Sequence, residues 1–301
     1  MERINFKHSV IFFNLCILIS PFYLMLNFEP IILCLFLILI LGISHGALDN
    51  IKGKKLLKMF GYKSTISFYL AYILISLLII IFWIIFPNIV LFLFLVVAAY
   101  HFGKEDTVFS FKRKFLISEC LFFFKGSSVI ITPLLLQRNA TNEIFKILNF
   151  NVFDSTFFSD QFLIVLLCIS FLSSLYISNK KNNNLKGIMI MDFSSLIILN
   201  FFLTPILAFT LYFCFLHSIR HSITLIFELD KSFKSGLKKF INRAIPLTFA
   251  TGVIFLFAIY FLNNFYKLDE AIYKVIFIGL ASLTFPHILL EYLLEKNEKR
   301  T

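Results

Sequence analysis

Charge is what this sequence lacks most. Of its 301 residues, 15% are Asp, Glu, Lys or Arg, where an average soluble domain has about 25%. The apolar share is 59% and the mean hydropathy is +0.88. These values exclude an ordinary soluble domain. Cysteine is scarce as well. Cys16, Cys34, Cys120, Cys168 and Cys214 each sit inside an apolar run, with no Cys-x-x-Cys pair. They read as small buried residues, and no disulfide framework follows. There is no flavin or nicotinamide fingerprint, no RNA-binding motif and no soluble basic domain. The net charge of +11 therefore reflects Lys and Arg in the loops of a membrane protein rather than a nucleic-acid surface. Internal repeats and β-barrel alternation are also missing. The 42 Phe read either as the lining of a pocket for a long apolar ligand or, with the weight on this side, as the codon bias of an AT-rich genome, so no single Phe is informative.

What the chain does have is long apolar runs. A membrane helix needs about 20 mostly apolar residues. Ten stretches are candidates: Ser9–Leu26, Ile31–Leu48, Ile66–Phe86, Asn88–Gly103, Phe115–Leu136, Gln161–Ser178, Ile188–Leu203, Pro205–Phe227, Pro246–Phe265 and Ala271–Leu294. The fourth and seventh are short and read as tilted, partly re-entrant or merged with their neighbours. The first follows Arg3 and Lys7 as a signal peptide would, but it is long and lacks a small-residue cleavage site. It reads as a first membrane helix. With the N-terminus inside, only Arg138, Lys146, Lys267 and Lys274 fall on the outer side. Lys125 and Arg220 fall within helices, and every other Lys and Arg lies inside. That asymmetry predicts an even number of spans with both termini cytoplasmic. The expectation is an all-α, polytopic integral membrane helical bundle of about 8–10 transmembrane helices. It forms a single domain over residues 1–301 and lies in the cytoplasmic (inner) membrane of the cell. Pro87 and Pro205 fit tight turns between adjacent helices. The Gln137–Asp160 stretch has room for a surface helix.

Histidines carry the chemistry. Five of the six (His45, His101, His217, His221 and His287) lie in or at the ends of the spans. An ionisable residue at membrane depth marks function by default, and neutral imidazole is the commonest metal ligand. The second span ends in GISHGALDN (Gly42–Asn50) and the fourth in YHFGKED (Tyr100–Asp106). Each delivers a His, then a Gly, then an acid near the inner boundary. His45 and Asp49 are four apart and share a helical face. An acid of this kind can fix the tautomer of a ligating His on its own helix or on another. Asp49 and Asp106 are the candidates. The glycines would admit another helix or a substrate.

The eighth span carries HSIRH (His217–His221). Two His at i and i+4 face the same way and can bind one metal. His217 lies about 18 Å along that span from Pro205, and His221 about 6 Å further, at 1.5 Å per residue. Four imidazoles thus reach similar depth. Arg220 would pair with Asp192 or Glu228, or snorkel to the interface. The tenth span carries FPHILLE (Phe285–Glu291), where Pro286 kinks or opens the helix beside a cavity. His287 is a fifth ligand, a brace for a ligand, or a substrate contact. Tyr100 and Glu291 are further candidates to brace ligands or line the pocket. His8 reads as an interfacial residue. Imidazole-only ligation suits Fe, Zn or Cu.

These four motifs, in order and on a multi-span background, resemble the Brp/Blh family of integral-membrane β-carotene 15,15′-dioxygenases. The resemblance runs from about Gly42 to His287. It implies non-haem Fe(2+) held by His45, His101, His217 and His221. It also implies β-carotene and O2 as substrates, and two molecules of all-trans-retinal as product, handed on to a microbial rhodopsin. Ser44 departs from the family pattern, where proline is expected before the first His. Other readings compete. A di-iron desaturase typically needs about eight histidines, more than the six here. A b-type haem protein needs His pairs facing across helices. A His-lined transporter or proton carrier, and a non-catalytic rhodopsin assembly factor, remain as alternatives.

Overall fold

A computed structural model describes residues 2–23, 30–61, 66–107, 116–150, 158–179 and 183–298, excepting the side chains of His45 and a few other positions. Within them the protein is all-α, with no strand. Lys112–Lys114 and Lys180–Asn182, part of the inner-loop reading, lie outside the described residues.

The helices are α1 Glu2–Tyr23, α2 Ile31–Leu37, α3 Asp49–Met59, α4 Ile66–Ile85, α5 Pro87–Glu105, α6 Leu116–Leu136 and α7 Arg138–Ile147. They continue with α8 Asp160–Asn179, α9 Asn183–Phe202, α10 Pro205–Leu211, α11 Ile219–Leu229, α12 Phe233–Leu262 and α13 Leu268–Glu298. Nine described helical segments are long and apolar enough to cross a membrane, and Ile31–Gly42 is a shorter apolar helix. This is a multi-pass membrane protein. The segment Ile66–Ile85 is strongly apolar, yet among its residues only Trp83 is buried. A helix that apolar and that exposed suits lipid rather than water. Pro205–Leu229, by contrast, is 61% buried, as the helix bearing the His pair should be.

Two spans depart from regular α-helix. The second widens into a π-helical turn at Ile38–Gly42 and then tightens into a 3-10 turn at Ile43–Leu48 before α3. The span from Pro205 widens at Tyr212–Ser218 between α10 and α11. Such wide turns are frequent at functional sites. Pro87 and Pro205 each open a helix, where the missing N–H costs nothing. The stretch after Gln137 does form a helix, α7, which buries Thr141, Ile144 and Phe145. The helix α13 runs unbroken through Pro286. Between α11 and α12, Asp230 accepts bonds from Lys239 Nζ at 2.6 Å, the Ser232 amide at 2.9 Å and Ser235 Oγ at 2.7 Å. Those donors hold its carboxyl well below the usual range.

The chain divides into two compact units, residues 1–42 with 95–224 and residues 43–94 with 225–301. In the first unit, α1 packs along α9 and α6 along α8. The buried face of α1 is unusually polar: Asn5, Ser9 and Ser20 beside Phe12 and Cys16. The helices α5 and α6 cross in close backbone contact. A Cβ on Gly103 would stand 1.8 Å from the carbonyl oxygen of Phe122, and one on Gly126 would stand 1.9 Å from that of Ala99. Only glycine on both helices allows the backbones to touch. In the second unit, α13 packs on α4 and α3, and α12 on the Ile43–Leu48 turn. One core joins Leu48, Leu225, Ile226, Phe240 and Ala244. Another joins Leu56, Leu290 and Leu294.

Candidate metal centre

In the first unit, the end of α5 meets the wide turn before α11. His217 is fully buried, and its Nδ1 lies 3.0 Å from Asp106 Oδ1. The Tyr212 hydroxyl donates to the other oxygen of the same carboxylate at 2.7 Å. His221 Nδ1 lies 3.2 Å from Glu105 Oε2. Consecutive acids at the end of α5, its last residue Glu105 and Asp106 just beyond it, therefore hold the two members of the i,i+4 pair. Phe102 and Phe213 flank the His217 ring, with centroids at 4.9 and 5.8 Å. The His101 ring is buried, with its centroid 5.3 Å from that of His217. Three of the four expected ligands thus lie in one unit. The fourth, His45, has its backbone in the 3-10 turn, and its side chain lies outside the described residues.

The carboxylate pairing was half visible in the sequence. Asp106 was a candidate brace from its place one turn beyond His101, but it holds His217 on another helix. Glu105 takes His221. Gly103 makes the close approach that its place after His101 suggested. At Gly46 the nearest atom among the described residues that an added Cβ would meet is Asp49 Oδ2, at an ordinary 3.6 Å. Tyr100 turns elsewhere: its hydroxyl donates to Glu119, and it packs with Phe122, Ile177 and Met189.

In the same unit lies a charged cluster. Arg220 is 2% exposed and reaches Asp192 with two nitrogens at 2.7 and 3.1 Å. Ser9 donates to Asp192 at 2.8 Å and receives Arg220 at 2.8 Å. Arg220 thus pairs with Asp192, as its place in the eighth span suggests. A bidentate pair of this kind meets the cost of burying both charges. Lys125, also buried, donates to Thr107 Oγ1 at 3.0 Å. Lys125, Asp106, Asp192 and Tyr212 all line one cavity of about 30 Å³. That is room for about two water molecules.

The second unit repeats the imidazole–carboxylate arrangement. His287 Nδ1 lies 2.9 Å from both oxygens of Asp49. The Tyr72 hydroxyl adds a bond to Asp49 at 3.0 Å and reaches the Leu283 carbonyl at 3.2 Å. Lys52 pairs with Glu291 at 2.9 Å, and Glu291 stands 3.8 Å from His287 Nε2. Nothing in the sequence marks Tyr72 and Tyr212 as site residues, because a tyrosine in an apolar run carries no spacing signal. In both units the acid is held from two sides, by a histidine and by a tyrosine.

These donors fit a resident metal. Engaging Nδ1 on a carboxylate fixes the ring and leaves Nε2 as the coordinating nitrogen. In His217 and His221 that Nε2 is buried and makes no hydrogen bond among the described residues.

Fold and site together define a multi-pass, all-helical membrane protein in which His217, His221 and His287 each stand against a carboxylate. The profile of the family described as β-carotene 15,15′-dioxygenase matches residues 36–295. The chain belongs to that family, and is by membership an enzyme of the dioxygenase class. A β-carotene 15,15′-dioxygenase from uncultured marine bacterium 66A03 is 29% identical over 278 residues, which covers 88% of this chain and 94% of the relative. No solved structure matches.

Proposed function

We propose that this protein cleaves β-carotene at its central 15,15′ double bond with O2, giving two molecules of all-trans-retinal. The resident metal is Fe(2+), with His45, His101, His217 and His221 as its ligands. The observation that supports this most is the paired bracing of His217 by Asp106 and of His221 by Glu105, in a chain whose family match runs from residue 36 to 295. We read residues 1–301 as one functional domain, with both termini on the cytoplasmic side of the cell membrane.

Bound iron(II) supplies the dioxygen chemistry that no side chain can. The chain's own residues supply position and shelter. Asp106 and Glu105 fix the tautomer and direction of their imidazoles. Tyr212 holds the second oxygen of Asp106, so the carboxylate cannot swing. Phe102 and Phe213 keep the His217 ring from turning and exclude water around it. A neutral, water-insoluble substrate reaches such a site through lipid, and a dry, preorganised pocket then sets the target bond in place. His287, held by Asp49, is assigned to bracing or substrate contact, together with Glu291. The product is an apolar aldehyde suited to direct transfer to a microbial rhodopsin.

The test is expression in a β-carotene-producing bacterium, with extracted pigments resolved by chromatography. Retinal appearing as β-carotene is lost, and absent in His217→Ala, is the expected result. Iron in the purified protein with β-carotene untouched would redirect the search to another carotenoid. Untouched β-carotene with no metal would point to a transporter or an assembly factor.

A further inference from the structure

The amino-terminal helix α1 looks like a membrane anchor by composition, and it precedes the residues that the family profile matches, 36–295. Its packing says otherwise. An anchor turns apolar residues outward and asks nothing of its inner face. Here α1 buries Asn5 and Ser9. Ser9 bonds Asp192 and Arg220, and His8 does something more specific.

His8 is half-buried, and its Nε2 lies 2.8 Å from the carbonyl oxygen of Phe215. Phe215 sits in the middle of the wide Tyr212–Ser218 turn, two residues before His217. In a regular α-helix that carbonyl would accept the amide of Ile219, four residues on. In this protein the Ile219 amide donates instead to Cys214 and Leu216, five and three residues back. The wide turn has therefore diverted the Ile219 amide from the Phe215 carbonyl, and the His8 ring donates to that carbonyl. A carbonyl that has lost its regular amide donor gains from an outside one, so a donor from another helix favours the wide register over the regular one.

The register decides where His217 points. Tyr212 and His217 are five apart, yet both reach Asp106. In a regular α-helix five residues turn through about 500°, which leaves the two side chains about 140° apart. The wide turn brings them onto one carboxylate. We infer that His8 is a positioning residue for the metal centre. By donating to the Phe215 carbonyl it holds the Tyr212–Ser218 turn in the wide register that sets His217 on Asp106. This rests on the metal reading given above, with His217 as a ligand.

The test compares His8→Phe, which keeps a ring but loses the donor, with His8→Gln, which restores an N–H. Two quantities are read on purified full-length protein: iron(II) affinity, and hydrogen exchange of the peptide covering residues 212–219. His8→Phe should weaken iron binding about 10–100-fold, the usual cost of losing support behind a ligand, and speed exchange in that peptide about tenfold. His8→Gln should recover most of both. Exchange unchanged in His8→Phe overturns the brace. Faster exchange with unaltered iron affinity overturns its link to the ligand, and so does His8→Gln behaving like His8→Phe. If the unaltered protein takes up no iron, the metal reading falls, and the exchange rates alone still decide whether His8 holds the turn.

Discussion

Gly103→Ala asks whether the carboxylate–imidazole pairs depend on how closely α5 approaches α6. The added Cβ would stand 1.8 Å from the Phe122 carbonyl oxygen and 2.8 Å from the Gly126 nitrogen. Both are backbone atoms, so no rotamer change relieves the overlap. An ordinary contact begins near 3.4 Å, so the helices must part by about 1.6 Å at the crossing, an overpacking strain relieved only by backbone shifts. His101 and Glu105 are two residues from that point, and Asp106 is three. The bonds at stake are 3.0 Å for Asp106 to His217 and 3.2 Å for Glu105 to His221. Half of the displacement takes both beyond hydrogen-bonding range. A misplacement of about 1 Å costs roughly 100-fold in rate. Retinal formation should therefore fall about 100-fold in Gly103→Ala, in membranes matched for inserted protein, and bound iron should fall with it. Gly126→Ala should do the same, because its Cβ would meet the Ala99 carbonyl oxygen at 1.9 Å. Either variant retaining iron and cleaving within twofold of the unaltered protein would refute the argument.

Other outcomes follow from the same geometry. His217→Ala or His221→Ala should abolish iron binding and cleavage while leaving membrane insertion intact; full activity in either one removes that residue from the ligand set. Asp106→Asn keeps the shape but not the charge that fixes the His217 tautomer. Iron affinity should drop about 10–100-fold, measured by ferrous titration, and an unchanged value would mean that Asp106 does not act through His217. Removing iron with a chelator should stop retinal formation, and Fe(2+) should restore it where Zn(2+) does not. Recovery with zinc would exclude redox chemistry at the centre.

The spans were legible in the sequence because apolar length is a local property, readable one window at a time. The His217–His221 pair was legible for the same reason, since helical spacing needs no tertiary knowledge. What stayed hidden was everything that depends on a second helix. Spacing placed Asp106 beside His101, one turn away, but Asp106 bonds His217, 111 residues distant. Glycine at 103 announced a close approach without naming its partner at 126. The wide turn at Tyr212–Ser218 has no proline or glycine to betray it. It is held by tertiary contacts, one of them from His8, 207 residues away. His8 read as interfacial for that reason: its meaning lies wholly in a carbonyl on another helix.

Two separate devices thus converge on one bond. The glycine crossing brings Asp106 to the right depth, and the wide turn brings His217 to face it. Neither suffices alone, since a well-placed acid cannot hold a ring that points about 140° away, and a well-aimed ring cannot reach an acid displaced by more than 1 Å. This makes a prediction about their combination. Distant, independent sites add in free energy, whereas residues acting through a shared partner do not. Gly103 and His8 are on different helices and touch different neighbours. If each acts only on itself, the losses of iron affinity in Gly103→Ala and His8→Phe multiply in the double variant. If both act through the Asp106–His217 bond, the first change breaks it and the second finds little left to remove. The double variant should then bind iron no more than about threefold more weakly than the weaker single one. A full product of the two losses would separate the turn from the crossing, and would leave each holding the histidine by a route of its own.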